Sequence, residues 1–405
     1  MSFRKEPSAW WGAPKKFDIP EEDRRVSWLE LFYDLVYVIA VARITHHLSE
    51  HLSLESFLEY AGLFLIIFWG WLNGSLYHDL HGNEGLRTRL MTLWQMMIIA
   101  ALAITLDHLP EHGYTNLTIV FMVMQLYITY LWWSVGFYDR SHRRYNLPYT
   151  IMYLISLGLM GLSLAVPSSW LTVIVPLILI CNYAPPFVSQ ALLRRSNLDL
   201  NLSSSMFERL GLFAIIVFGE VVLGIVNGIG EIEALNFPVW LNFALALSIV
   251  FSLWWIFFTL VARREPKGGF LNATLLEMLY IPALIALGLM AVSFTALFDA
   301  HHSSRDMQLV FGYAVTIFLV CISLMMGLME LPDRFRRLFR PGRISLLLTA
   351  LVFLIATLIH PELSTLTFLL GALFILLVEM LYLNSLYYGM VAKEGRNKDN
   401  TEVAG

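Results

Sequence analysis

At 405 residues, 58% of them hydrophobic and only 14% charged, this chain has too little charge to cover a water-soluble domain of its size, so its excess apolar surface must face lipid. A formal net charge of −4 hides a strong sidedness and gives no argument for nucleic-acid binding. The two cysteines, Cys181 and Cys321, lie inside apolar runs, which excludes a disulfide framework and a thiolate metal motif.

Residues 1–26 are polar, contain three prolines and lack the apolar stretch and cleavage site of a signal peptide, so they read as a retained cytoplasmic tail. Apolar runs then predict helices at 27–46, 54–77, 90–108, 115–137, 148–166, 168–190, 206–228, 238–261, 272–298, 308–330, 343–360 and 364–391. Runs of about 18 to 25 residues, rising about 1.5 Å per residue, match a hydrocarbon core of about 30 Å. They are continuous, whereas barrel strands would alternate over about ten residues. The expectation is therefore an all-α integral membrane protein of about twelve transmembrane helices.

Basic residues test that expectation, because cytoplasmic loops collect Lys and Arg. With the N-terminus inside, all but Arg43 and Arg305 of the 27 basic residues fall in the two tails or in alternate loops, from Arg87 and Arg89 to the cluster Arg334–Arg343. Both termini are predicted to be cytoplasmic. Weak likenesses also relate the halves: Glu30 to Glu208, Trp69 and Trp71 to Trp254 and Trp255, Asp107 to Asp299, Asp139-Arg140 to Asp333-Arg334, and Pro167 to Pro361. Six helices per half would make the repeats parallel about an axis normal to the membrane. The predicted organisation is a tail at 1–26, a six-helix repeat at 27–190, a cytoplasmic linker at 191–205, a second repeat at 206–391 and a tail at 392–405.

The segment Glu30-Leu31-Phe32-Tyr33-Asp34-Leu35-Val36-Tyr37-Val38, followed by ITHHL, resembles the first helix of the bacterial low temperature requirement protein A family, LtrA. So does the run Glu208-Arg209-Leu210-Gly211-Leu212-Phe213, continuing to Ile215-Ile216 and Gly219-Glu220. The likeness covers nearly the whole chain. It implies a multi-pass membrane protein linked to growth in the cold in some bacteria, and marks both motifs as functional positions, but brings no settled reaction. Major-facilitator transporters share the helix count, yet carry a D-R-x-G-R-like loop between helices two and three. Here the Asp-Arg loops follow helices four and ten.

Charged groups deep in a bilayer are costly and ask for a reason. Glu30 and Asp34 are spaced i, i+4 and share one face with Tyr37 and Val41; two carboxylates so close repel, and one is expected to hold a proton. The alternative is an interfacial pair neutralised by Arg24 and Arg25. Glu220 lies about 18 Å along its helix from Glu208, with Gly224 and Asn227 on its face, and is expected to bind a proton in a polar cavity or to hydrogen-bond across a helix contact. Asn182 precedes Pro185 and Pro186, which correspond in the repeat to the region of Glu379, and proline breaks expose carbonyls that can hold a ligand or merely kink the helix. Arg43 either pairs with an acid such as Glu220 or snorkels to the headgroups. Glu277 and Glu330 are expected at cytoplasmic helix ends.

Eight of the 11 histidines, namely His46, His47, His51, His108, His112, His301, His302 and His360, map to the outer side. Their spacing could hold a metal, but solvated helix ends explain them, and no metal or cofactor is assigned. No HExxH, Walker A, GxSxG or Rossmann glycine run is present. The leading reading is a secondary transporter or permease of the bacterial inner membrane, with membrane lipid and a small solute or ion as partners and possible proton coupling. Its candidate site draws on Glu30, Asp34, Arg43, Asn182, Glu208, Arg209, Glu220, Asn227 and Glu379. A membrane-embedded enzyme acting on lipid and a non-catalytic protein supporting the cell surface are the alternatives. The sequence carries no signal for an oligomeric state.

Overall fold

The computed structural model describes residues 26–50, 52–82, 85–108, 113–138, 143–193, 203–230, 232, 234–262, 264–298, 303–330, 336–359 and 363–403. The N-terminal tail with Arg24 and Arg25, the Asp139, Asp299 and Asp333 loop residues, most of the 191–205 linker and His51, His112, His301, His302 and His360 lie outside them. The helices are α1 (Trp28–Glu50), α2 (Leu54–His81), α3 (Leu86–Asp107), α4 (Tyr114–Tyr138), α5 (Arg143–Ser163), α6 (Leu171–Tyr183), α7 (Pro185–Leu193), α8 (Ser204–Gly230), α9 (Phe237–Phe257), α10 (Phe270–Leu297), α11 (Ser304–Met326), α12 (Arg336–Ile359) and α13 (Thr365–Val403).

Local chemistry sets several starts. Ser53, Asn236 and Ser303 each accept a backbone N–H in the first turn of α2, α9 and α11. At α1, Ser27 Oγ accepts the Glu30 N–H while Glu30 Oε2 accepts the Ser27 N–H at 2.8 Å, a reciprocal capping box written in the run Ser27-Trp28-Leu29-Glu30.

A helix lies over each of the twelve predicted ranges, with one break. The sixth range divides into α6 and α7, bent by 48° at Ala184. Pro185 and Pro186 lack the N–H groups that the carbonyls of Cys181 and Asn182 would take, and the Asn182 carbonyl instead accepts the Trp69 indole N–H at 2.8 Å. Among the described residues, nine helices are long and apolar enough to cross a membrane, and ten if the bent pair is one span. This is a multi-span helical membrane protein. Helices α1 and α5, 23 and 21 residues long, are not among those nine; α1 carries Glu30, Asp34 and Arg43 within its length, and α5 carries Asn146 and Pro148 near its start.

The chain forms two compact units, Met1–Phe213 and Ala214–Gly405. In unit 1, α1 packs on α2 and α3, α4 on α2, α3 and α5, and α5 on α6 and α7. The early part of α8 belongs here because Phe213 packs on Phe68 and Trp71. In unit 2, α11 packs between α10 and α12, and α13 lies against α9 and α12. A two-residue antiparallel pair, β1 (Glu265–Pro266) with β2 (Met329–Glu330), joins the loops after α9 and α11. The predicted tenth helix thus stops at Met326, and Glu330 is the exposed residue of strand β2, beside buried Met329, rather than part of a helix end.

Candidate functional site

The buried face of α1 is a single stripe of Glu30, Tyr33, Asp34, Tyr37, Val41, Ile44 and Leu48, spaced by three and four residues. Two acids lie on it, and Asp34 is fully buried at 0% exposure. Its partner comes from α8: Arg209, 1% exposed, donates from Nη2 to Asp34 Oδ1 at 2.5 Å and from Nε to Oδ2 at 3.2 Å. The Trp71 indole N–H of α2 donates to the same Oδ1 at 2.7 Å. Such a two-pronged, charge-assisted contact is the geometry in which a guanidinium holds a carboxylate most strongly. The guanidinium also lies over the rings of Tyr33 and Trp71, 5.4 and 5.8 Å from their centroids, where the ring faces attract a cation.

Glu30 belongs to this group more loosely. Its Oε1 is 3.7 Å from Arg209 Nη1, beyond hydrogen-bond reach, and its Oε2 is engaged by the Ser27 N–H and hydroxyl. The first acid of the motif therefore closes the helix start, and the second anchors the arginine. Around them, Gln95 of α3 donates from one amide nitrogen to Tyr37 Oη at 2.9 Å and to the Gly70 carbonyl at 3.2 Å. Gly70 and Gly74 make room for this layer, since a Cβ on Gly74 would strike Tyr33 Oη and the Gln95 amide. His78, buried on α2, contacts Thr92 Oγ1 at 2.5 Å and the Gly74 carbonyl at 2.7 Å through its ring nitrogens.

The other candidates lie elsewhere. Asn182 is buried in unit 1 beside Gln125, whose amide nitrogen reaches Asn182 Oδ1 at 3.1 Å. The Asn182 carbonyl, freed by Pro186, is spent on Trp69. Arg43 pairs with Asp107 at 3.2 Å with both side chains part-exposed, as a snorkelling residue would. Glu208 is exposed although its neighbour Arg209 is buried. In unit 2, Glu220 is half-buried, and Asn227 is exposed, off the face that Gly224 packs. Glu379 is buried and accepts hydroxyls from Ser345 at 2.8 Å and Thr349 at 2.9 Å. Glu277 is buried in α10, where an interfacial position was expected.

At the outer histidines, His46 faces Glu50 at 3.5 Å and His47 faces Glu59 at 3.8 Å, and no group of three or more metal-ligating residues forms among the described residues. Unit 2 holds a mainly apolar pocket of about 150 Å³ between α11, α12 and α13, bordered by Gln308 and Thr357. The sequence reading missed Trp71, Gln95 and His78. A signal for them was present in α2, where Trp71, Asn73, Ser75 and His78 interrupt an apolar run with groups that need hydrogen-bond partners.

In comparison with known proteins, the sequence model of a family described as Bacterial low temperature requirement A protein (LtrA) matches residues 25–381, from the start of α1 into α13. No curated protein matched the chain.

Proposed function

The chain belongs to the bacterial low temperature requirement A family, and we propose that it works as a secondary transporter or permease for a small solute or ion, coupled to protons, in the bacterial inner membrane. The observation that carries this reading is the Asp34–Arg209 pair, closed by Trp71 inside a membrane-spanning unit. A buried ion pair contributes no more stability than apolar residues of the same volume, and often less. Its place in a span therefore points to a task, and ionisable groups inside membranes mark solute and proton paths. In this reading α1, α5 and the bent α6–α7 pair also cross the bilayer, which gives twelve spans in two parallel six-helix repeats with both termini in the cytoplasm. Release of Arg209 from Asp34 would be the charge change that a passing proton or solute brings about, with Glu30, already near Arg209, taking up the guanidinium.

The test is reconstitution in liposomes under a pH gradient, with solutes screened for substrate-dependent proton flux. Asp34→Asn is expected to lose that flux, because the amide keeps the shape but not the charge; since it also leaves Arg209 buried without its counter-charge, the Asp34→Leu, Arg209→Met double variant, which strands neither charge, is expected to remain inserted and monodisperse and to be equally inactive. Glu220→Gln, in the half-buried acid of α8, is expected to leave transport in place and remove its pH dependence. Full flux in Asp34→Asn, or a change in the vesicle lipids without any solute movement, would overturn the proposal.

A further inference from the structure

Helix α5 carries a second polar stripe, separate from the Asp34 site. Asn146, Tyr149, Tyr153 and Ser156 follow at intervals of three and four residues, and all four are buried. Trp132 of α4 stacks on Tyr149 at 4.4 Å. Gln125 of α4 reaches the Tyr153 carbonyl at 3.4 Å and Asn182 of α6 at 3.1 Å. Tyr153 is satisfied by a hydrogen bond from its hydroxyl to Asn73 Oδ1 at 2.5 Å. Six buried atoms along this stripe have no hydrogen-bond partner among the described residues: both side-chain polar atoms of Asn146, Trp132 Nε1, Gln125 Oε1, Asn182 Nδ2 and Ser156 Oγ.

Buried polar atoms in folded proteins are almost all paired, and each one left dry forfeits its hydration. Six in one row would together cost a large share of a domain's stability. They also form a set. Asn146 Nδ2, Trp132 Nε1 and Asn182 Nδ2 donate, Asn146 Oδ1 and Gln125 Oε1 accept, and the Ser156 hydroxyl does both. No residue of the set is charged, so it suits neither an anion nor a metal ion, but it matches a molecule that both donates and accepts. From Asn146, near the start of α5, to Ser156 the row runs about 15 Å along the helix axis.

We infer that the space between α4, α5 and α6 of unit 1 is a hydrated cleft, occupied by water and open to small uncharged hydrogen-bonding solutes. This does not depend on the transport reading, and its test needs no transport assay. In a Cys181→Ala background, the remaining native thiol, Cys321, is buried in unit 2 and serves as a reference in the same molecule. Ser156→Cys and Asn146→Cys each place a thiol on the stripe without removing any side-chain hydrogen bond that the described residues make. Alkylation requires the thiolate, which forms where water reaches and not in dry apolar surroundings.

Full-length protein in liposomes is treated with iodoacetamide or iodoacetate, and labelling of each cysteine is followed by mass spectrometry, with rates scaled to those of a free thiol. Both introduced thiols are expected to react with iodoacetamide at least about tenfold faster than Cys321, and with a clear preference over the anionic iodoacetate. Labelling of folded, monodisperse variants no faster than Cys321 at both positions would overturn the cleft. Equal scaled rates for the two reagents would overturn its uncharged character. Should one variant fail to fold, the other carries the same comparison.

Discussion

Arg209→Met is expected to destabilise the protein by about 3–5 kcal/mol, because it leaves the Asp34 carboxylate buried without its counter-charge. The pair is fully enclosed, and Asp34 has both oxygens committed to Arg209, one of them shared with the Trp71 indole. Adding Asp34→Leu to Arg209→Met should recover most of the loss, since apolar residues of similar volume commonly replace a buried ion pair at little cost. Arg209→Lys should fall between, as an ammonium keeps the charge but not the planar two-pronged contact or the stacking on Tyr33 and Trp71. Thermal unfolding in detergent, with the yield of monodisperse protein, measures all three variants against the unaltered protein. If the double variant is no more stable than Arg209→Met alone, the loss does not come from the Asp34 carboxylate left without its counter-charge. The double variant is also expected to be inactive in the liposome assay, which would separate the pair's role in function from its role in stability.

The second large effect is steric and lies in unit 2. Gly224 and Gly228, one turn apart on α8, face the backbone of α10. A Cβ on Gly224 would lie 2.5 Å from the Ala291 carbonyl oxygen, and one on Gly228 2.6 Å from that of Thr295. The Thr295 hydroxyl donates to the Gly224 carbonyl at 3.2 Å, so the two helices meet at backbone distance. Backbone cannot swing aside as a side-chain end can, and small residues at such crossings provide most of the packing between helices in lipid. Gly224→Ala is therefore expected to cost about 1–3 kcal/mol by overpacking. Gly219→Ala on the same helix meets nothing within 4 Å and should be neutral or gain about 0.5–1 kcal/mol from helix propensity. Thermal unfolding of the two variants side by side gives the comparison, and equal shifts would show that α8 and α10 do not approach as closely as the structure places them.

Much of this architecture follows from local chemistry. Apolar runs of membrane length forced helices wherever the backbone had no water to bond, and Ser27, Ser53, Asn236 and Ser303 marked starts through side-chain caps. The face of α1 that holds Asp34 was legible because side chains three and four residues apart must share one side of a helix. Close packing around Gly224 could be anticipated from its small size. The family, too, was visible in the motif around Glu30 and Asp34 and in that around Glu208 and Arg209.

Partner choice was not legible, because it depends on how separate helices meet. By sequence Arg209 groups with the basic residues expected on the cytoplasmic side, yet it turns inward to Asp34, 175 positions away in the chain, while exposed Glu208 beside it does not. The run Ser27-Trp28-Leu29-Glu30 offers Glu30 to a helix cap, but nothing local says that Asp34 rather than Glu30 takes the arginine, since both carry the same charge on the same face. Helix periodicity placed Asn227 with Gly224, but the close approach of α10 occupies only the glycine side and leaves Asn227 exposed. Proline chemistry foretold the break at Pro185 and Pro186, whereas only tertiary packing brought Trp69 to the Asn182 carbonyl that Pro186 releases. Periodicity and propensity act over a few residues and are written in the local sequence. The pairing of buried charges and hydrogen bonds is decided by which distant groups the packed helices bring within about 3 Å of one another.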